Sequence, residues 1–183
     1  MGRLGTLCRI GIAATAVSIA MPAQAASLDE LAREAVFDLC PDLMEIETPL
    51  QDEPSIKARG YEFLGSRTHN RAGRLDIVSL DADDGTITIG NSRETSFCQV
   101  GISGEGAKAT FAAIYASRDA LGSDWEIDWF EDTNPVPDIP GAEIVSLRTA
   151  TVDGLYWGVQ FVDLSATKPD FPLFIQQYFL EEE

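Results

Sequence analysis

The chain has three cysteines in 183 residues, and what two of them must do limits the fold more than any other feature. Cys8 lies in a leader-like start. Arg3 and Arg9 give a positive beginning, Ile10 to Ala20 is uncharged and apolar, and Ala23-Gln24-Ala25 is the small-x-small pattern read by signal peptidase. Residues 1–25 therefore read as a signal peptide cleaved after Ala25, and residues 26–183 as a single globular domain. The apolar run is too short to span a bilayer well, and Cys8 precedes it, where it is badly placed for a lipid anchor. No stable membrane anchor is expected. Cys40 and Cys98 remain as an even pair in an exported protein, so a disulfide is expected between them. It would close a loop of roughly 58 residues, which loop-closure entropy values at about 4 kcal/mol. The rival reading, a free catalytic thiol, needs a histidine nearby, and His69 is the only one in the chain.

The bridge would tie a helix to a strand. Ser27-Leu28-Asp29-Glu30 is a capping box, and Leu28, Leu31, Ala35, Val36 and Leu39 then share one helical face. Pro41 is expected to stop that helix just after Cys40. A short helix is expected from Asp52 as cap through Pro54 in the first turn to Gly60. From about residue 75 the apolar period becomes two. Strands are expected around 75–79, 86–89 and 97–102, the third carrying Cys98. A helix follows from Ser103 or Glu105 to about Leu121, with Ala107, Phe111, Ile114 and Arg118 along one stripe and Gly122 at its end. Trp125 to Trp129 alternates apolar with acidic residues and reads as a half-buried strand. Residues 131–141 hold three prolines and read as a loop. Strands are expected at 144–149 and 155–163, turning at Asp153-Gly154. Residues 171–180 fit either a helix or a strand.

Tight turns between neighbouring strands make the sheet antiparallel for the most part. The expected fold class is α+β: a mostly antiparallel sheet of about six strands packed against an N-terminal helix and a central helix, as a two-layer sandwich.

Candidate chemistry is sparse. The stretch Leu80 to Gly90, LDADDGTITIG, resembles a calcium loop in its three aspartates. An EF-hand loop with Gly85 at its sixth position would place Leu80 first, Ala82 third and Asn91 twelfth, and these are not ligands. A hairpin turning through Asp83-Asp84-Gly85 fits better, with glycine expected to supply a positive φ. The metal-free reading is adopted. Five of the basic residues, Lys57, Arg59, Arg67, Arg71 and Arg74, fall within residues 57–74, where Glu62 is the only acid. In an extended segment Arg67, His69 and Arg71 share a face, and guanidinium forks suit carboxylates and phosphates. Arg67, His69, Arg71 and Arg74 are thus the candidate ligand-binding residues. The bland reading of the same residues is pairing with nearby acids, including the turn at 81–84. Trp125, Trp129, Phe130, Tyr156, Trp157 and Phe161 read as core and sheet surface, with Tyr156 and Trp157 pointing to opposite faces.

No nucleophile elbow, HExxH, phosphate loop or Cys-x-x-Cys pair is present. No catalytic residues, cofactor or metal are assigned. The formal charge is −17, and loss of a leader with two arginines and no acid would make it −19. Such a chain repels nucleic acid and anionic lipid. The composition points to a periplasmic or secreted non-enzymatic module that binds a protein or a small anionic molecule. The alternatives are a periplasmic hydrolase of unfamiliar type built on carboxylates and His69, or a structural component of an envelope complex.

Overall fold

The structure, a computed structural model, describes residues 26–70, 72–121, 130–135, 143–149, 154–166, 168 and 170–181. The expected leader, Trp125–Trp129 and Gly122 lie outside these residues. The N-terminal helix begins as its capping box dictates. Ser27 Oγ accepts from the Glu30 amide, and the Glu30 carboxylate accepts from the Ser27 amide. The helix runs through α1 (Leu28–Glu34), a π-helical stretch (Ala35–Leu39) and α2 (Cys40–Leu43). All five residues of the expected apolar stripe are buried.

Pro41 does not stop this helix. The π stretch widens the turns ahead of it, and the Cys40 amide donates to the Ala35 carbonyl five residues back. In that register the Val36 carbonyl would receive the amide of residue 41, and proline has none. The sheet supplies the missing donor. Gln177 Nε2 donates to Val36 O at 2.6 Å, and Gln177 is fully buried.

A 3₁₀ turn (Leu50–Asp52) and α3 (Pro54–Arg59) follow, and Gly60 ends α3 as expected. The N-cap is Glu53 rather than Asp52, whose carboxylate pairs instead with Lys57. The strands are β1 (Glu62–His69), β2 (Gly73–Ala82), β3 (Gly85–Ser92), β4 (Phe97–Ser103), β5 (Phe130–Pro135), β6 (Glu143–Arg148), β7 (Leu155–Asp163) and β8 (Leu173–Glu181). Between β4 and β5 lie α4 (Ala107–Ala116) and a 3₁₀ turn (Arg118–Ala120).

The fold is α+β. One antiparallel sheet has the order β1-β2-β3-β4-β8-β7-β6-β5. It has eight strands rather than about six. The basic segment at 62–69 is an edge strand, and residues 173–181 resolve as a strand deep in the sheet. Residues 130–135, expected as loop, pair with β6. Pro135 closes that edge, where its lack of an N–H is tolerated.

The topology is a helix and a four-stranded meander, then the same again, with β4 and β8 paired at the seam. The N-terminal helix and α4 pack on one face of the sheet. The core lies between: Val78, Ile87, Ile89, Val100, Ile102, Leu173, Ile175, Val159 and Phe161 meet Leu28, Val36, Leu39 and Ile114. Trp157 joins this core, while Tyr156 on the other face is half-buried.

The hairpin at 80–90 forms, with two loop residues, Asp83 and Asp84. Its glycine has a different task from the expected one, because Gly85 has no positive φ. A Cβ there would stand 2.2 Å from the Ser103 carbonyl and 2.8 Å from Leu28 Cδ2. Gly85 thus lets the turn lie against β4 and α1. Asp81 accepts from Thr86 Oγ1, and the Asp84 carbonyl accepts from the Gly106 amide at the start of α4.

Cys40 and Cys98 are bonded, with their Cα atoms 5.5 Å apart. Such a bond fits an oxidising compartment. Among the described residues no helix is long and apolar enough to cross a membrane.

Two outcomes are expected. Mass measurement after alkylation should find no free thiol at Cys40 or Cys98 without reductant and two with it. The double Cys→Ala variant should lose about 4 kcal/mol in denaturant titration. Gln177→Leu should lose about 1 kcal/mol in the same titration: the buried Val36 carbonyl is left without a donor, and removal of the buried Gln177 Oε1, which has no partner among the described residues, offsets part of that cost. A Gln177→Leu protein more stable than wild type would show that the Val36 contact contributes less than the buried Oε1 costs.

Candidate functional site

Side chains alternate across a strand, so the pairing register assigns every residue to a face. One face carries the helices. The other carries none among the described residues, and its composition is unusual for this chain. One cross-strand row is Ile77, Gly90, Gln99, Gln176, Gln160 and Ser146. A neighbouring row is Ser79, Thr88, Gly101, Phe174, Val162 and Ile144. A third runs Ser92, Phe97, Tyr178, Gly158 and Arg148.

The face is organised by its glycines and glutamines. Gln176 Nε2 donates to Gln99 Oε1 at 3.1 Å across the seam, and Gln160 Nε2 donates to Ser146 Oγ at 3.2 Å. A Cβ on Gly158 would sit 2.3 Å from the Tyr178 ring, and one on Gly101 would sit 3.0 Å from the Phe174 ring. Each ring therefore reaches over a neighbouring strand at a glycine, where a side chain would collide with it.

Charge is nearly absent. The chain has 30 Asp and Glu. On this face of β2, β3, β4, β6, β7 and β8 the only residues from the Asp, Glu, Lys and Arg set are Asp81 and Arg148. The edge strand β1 adds Glu62, Arg67 and His69. Glu62 and Asp81 lie toward one end of the strands, and Arg67, His69 and Arg148 lie at the other.

The structure divides the candidate residues. Arg67 and His69 share the helix-free face, Arg67 opposite Leu75 and His69 opposite Gly73. The His69 ring rests on Phe97 with centroids 4.9 Å apart, and its Nδ1 accepts from the Ala72 amide. Arg74 points to the helix side, where its Nε and Nη2 reach Asp76 and Ser66. Arg71 lies outside the described residues. Lys57 pairs with Asp52 at 3.0 Å and Arg59 with Glu34 at 2.5 Å. The bland reading thus holds for three of the five basic residues. Their acid partners are local, and none is in the turn at 81–84.

The Arg59–Glu34 pair sits beside Tyr61, which is buried and whose hydroxyl has no hydrogen-bond partner among the described residues. Burial, with the Glu34 charge adding to it and Arg59 opposing, pushes the phenol up to about 12.

A groove of about 880 Å³ runs along the N-terminal helix on the opposite side of the molecule. Glu30, Glu34, Asp38 and Asp42 line it above Phe37 and Trp157. None of Arg67, His69 and Arg74 lines it, and its acids suit no anion. Among the described residues no three His, Cys, Asp or Glu side chains converge as a metal ion would require.

No known protein family, curated protein or solved structure matches this chain.

The glutamine row and the rings over Gly101 and Gly158 are not among the features expected from the sequence. Their signal was present in Phe174-Ile175-Gln176-Gln177-Tyr178, where side chains of one face recur every second residue. Placing them needed the strand partners as well.

Tyr61 yields a pH test. A folded-state phenol above its unfolded value adds stability that is present below about pH 10 and is lost as pH rises toward 12. Wild type should lose stability across that window in denaturant titration. Tyr61→Phe should flatten the loss, and at neutral pH it should match or exceed wild type, since it removes a buried hydroxyl without a partner.

Proposed function

We propose that this chain is an exported binding module, periplasmic or secreted, without catalytic chemistry of its own, and that it docks a protein through the helix-free face of its sheet. The observation that carries this is the near absence of charge across six strands of a strongly acidic chain. The central parts of protein interfaces are depleted in charged residues and enriched in aromatics. Phe174, Tyr178 and the glutamine row fit that composition. Rings packed over Gly101 and Gly158 lose less freedom on binding than free side chains would, which favours affinity. The disulfide agrees with an oxidising compartment.

The other readings have less behind them. A hydrolase built on His69 needs a pocket around that ring; the ring packs on Phe97, and the groove along the N-terminal helix does not include it. A small-anion site needs several converging cations, and Arg74 faces away from Arg67. Arg67 and His69 instead form the basic end of the docking face.

The test is a photo-crosslinking residue placed at Gln99, at the centre of the face, or at Lys108, exposed on α4. Irradiation of cells exporting each variant should give a discrete protein adduct from position 99 and none from position 108. No adduct at 99, or equal adducts at both positions, would count against the face as a docking surface.

A further inference from the structure

We infer that the occupant of the helix-free face is a second copy of this chain, so that two sheets pack face to face across a two-fold axis that reverses strand direction. This names the partner of the docking face and rests on that reading.

Electrostatics selects the face. Two copies of a chain with a formal charge of −17 repel over most of their surfaces. At physiological salt that repulsion is screened beyond about 8 Å, so it matters chiefly where acids come into contact. The helix-free face is a surface on which two copies can touch across many strands without setting carboxylate against carboxylate.

Charge also selects the symmetry. An isologous interface sets each residue i against j and the same j against i. Glu62 and Asp81 lie toward one end of the strands, while Arg67 and Arg148 lie at the other. A two-fold axis lying in the interface and perpendicular to the strands places the acidic end of each copy on the basic end of the other. It brings Arg67 on β1 toward Asp81 of the facing β2, and the second such contact follows by symmetry. An axis parallel to the strands would lay β1 and β2 over β5 and β6, which brings Arg67 toward Arg148 of the other copy and gives Glu62 and Asp81 no basic partner.

The area is sufficient. Six strands at ~4.8 Å spacing, each giving three or four outward residues ~7 Å apart, make a face of roughly 600 Å² per copy. The total of roughly 1,200 Å² reaches the lower bound of specific interfaces. Facing sheets pack ~10 Å apart with strand directions within ~30°.

Sedimentation velocity on the exported, disulfide-bonded protein tests this from ~1 to ~100 μM, since interfaces of this size commonly dissociate at micromolar concentration or below. A reversible dimer is expected. Gln176→Glu puts a carboxylate at the centre of the face and should weaken the dimer at least tenfold, with an unchanged circular dichroism spectrum. Lys108→Glu on α4 should not weaken it. Arg67→Glu should weaken the dimer about tenfold, and Arg67→Glu with Asp81→Arg should return it to within threefold of wild type.

A monomer at 100 μM, or a dimer indifferent to Gln176→Glu and Arg67→Glu, overturns the inference. Crosslinking at Gln99 separates the two levels. An adduct of twice the chain mass supports self-association. An adduct of another mass from a monomeric protein overturns self-association and leaves the docking face standing. No adduct and no dimer defeat both.

Discussion

Three side chains of one cross-strand row hold the N-terminal helix, and much of the rest of the architecture depends on them. Asn91 of β3, Cys98 of β4 and Gln177 of β8 lie side by side on the helix-bearing face. Asn91 Nδ2 donates to the Leu43 carbonyl, Cys98 bonds Cys40, and Gln177 Nε2 donates to the Val36 carbonyl. Two of these contacts satisfy carbonyls that the helix cannot serve itself, one beside a proline and one at its end. Buried carbonyls without partners are costly, so the row fixes the helix's position as well as its presence. The disulfide adds a constraint that survives local opening. Any slide of the helix along the sheet would break all three fastenings together.

The same row crosses the seam between the two meanders. Cys98 pairs with Gln177 on the helix side, and Gln99 pairs with Gln176 on the other. The seam therefore carries amide groups on both faces. On one face Gln177 reaches up to a helix. On the other Gln99 and Gln176 hydrogen-bond to each other and stay available at the surface. Strand alternation thus gives adjacent glutamines of one strand opposite tasks, one structural and one exposed.

What the sequence made legible follows from how local each signal is. The capping box, the stripe from Leu28 to Leu39, Gly60 and the hairpin at 80–90 are decided by a few neighbouring residues, and all four form, although Gly85 of the hairpin serves close packing and not a positive φ. The disulfide is expected from cysteine parity and from the leader-like start. Pro41 was misjudged because its local rule is to end a helix, while the π stretch that accommodates it is supported by Gln177, far away in the chain. Pro135 was misjudged likewise, since an edge strand tolerates a residue that a central strand excludes. The basic cluster from Lys57 to Arg74 was visible, yet its split between two faces was not. The pairing of β1 with β2, which sets Arg67 opposite Leu75 and Thr68 opposite Arg74, decides that split. The helix-free face was invisible as a unit because it is assembled from six strands.

The composition of that face remains to be explained by physics rather than by chance. Glutamine and glutamate have nearly the same shape, so fold alone does not choose between them at a half-buried surface position. Cross-strand neighbours of like charge do destabilise a sheet, which accounts for not having glutamate at Gln99, Gln176 and Gln160 together. It does not account for the lack of even one carboxylate along those rows between β2 and β6, nor for Ser79, Thr88 and Ser146 beside them. A single acid at any of these positions would be solvated at little cost to a free face. It would be costly only if the face were to be covered, because a buried charge without a partner cannot keep its water. The acids of this chain gather instead on the helix side, where Glu30, Glu34, Asp38 and Asp42 stand along one groove. A surface so nearly clear of charge in so acidic a chain has the composition that the proposed docking requires, and in that proposal the charges at its two ends set the direction of approach.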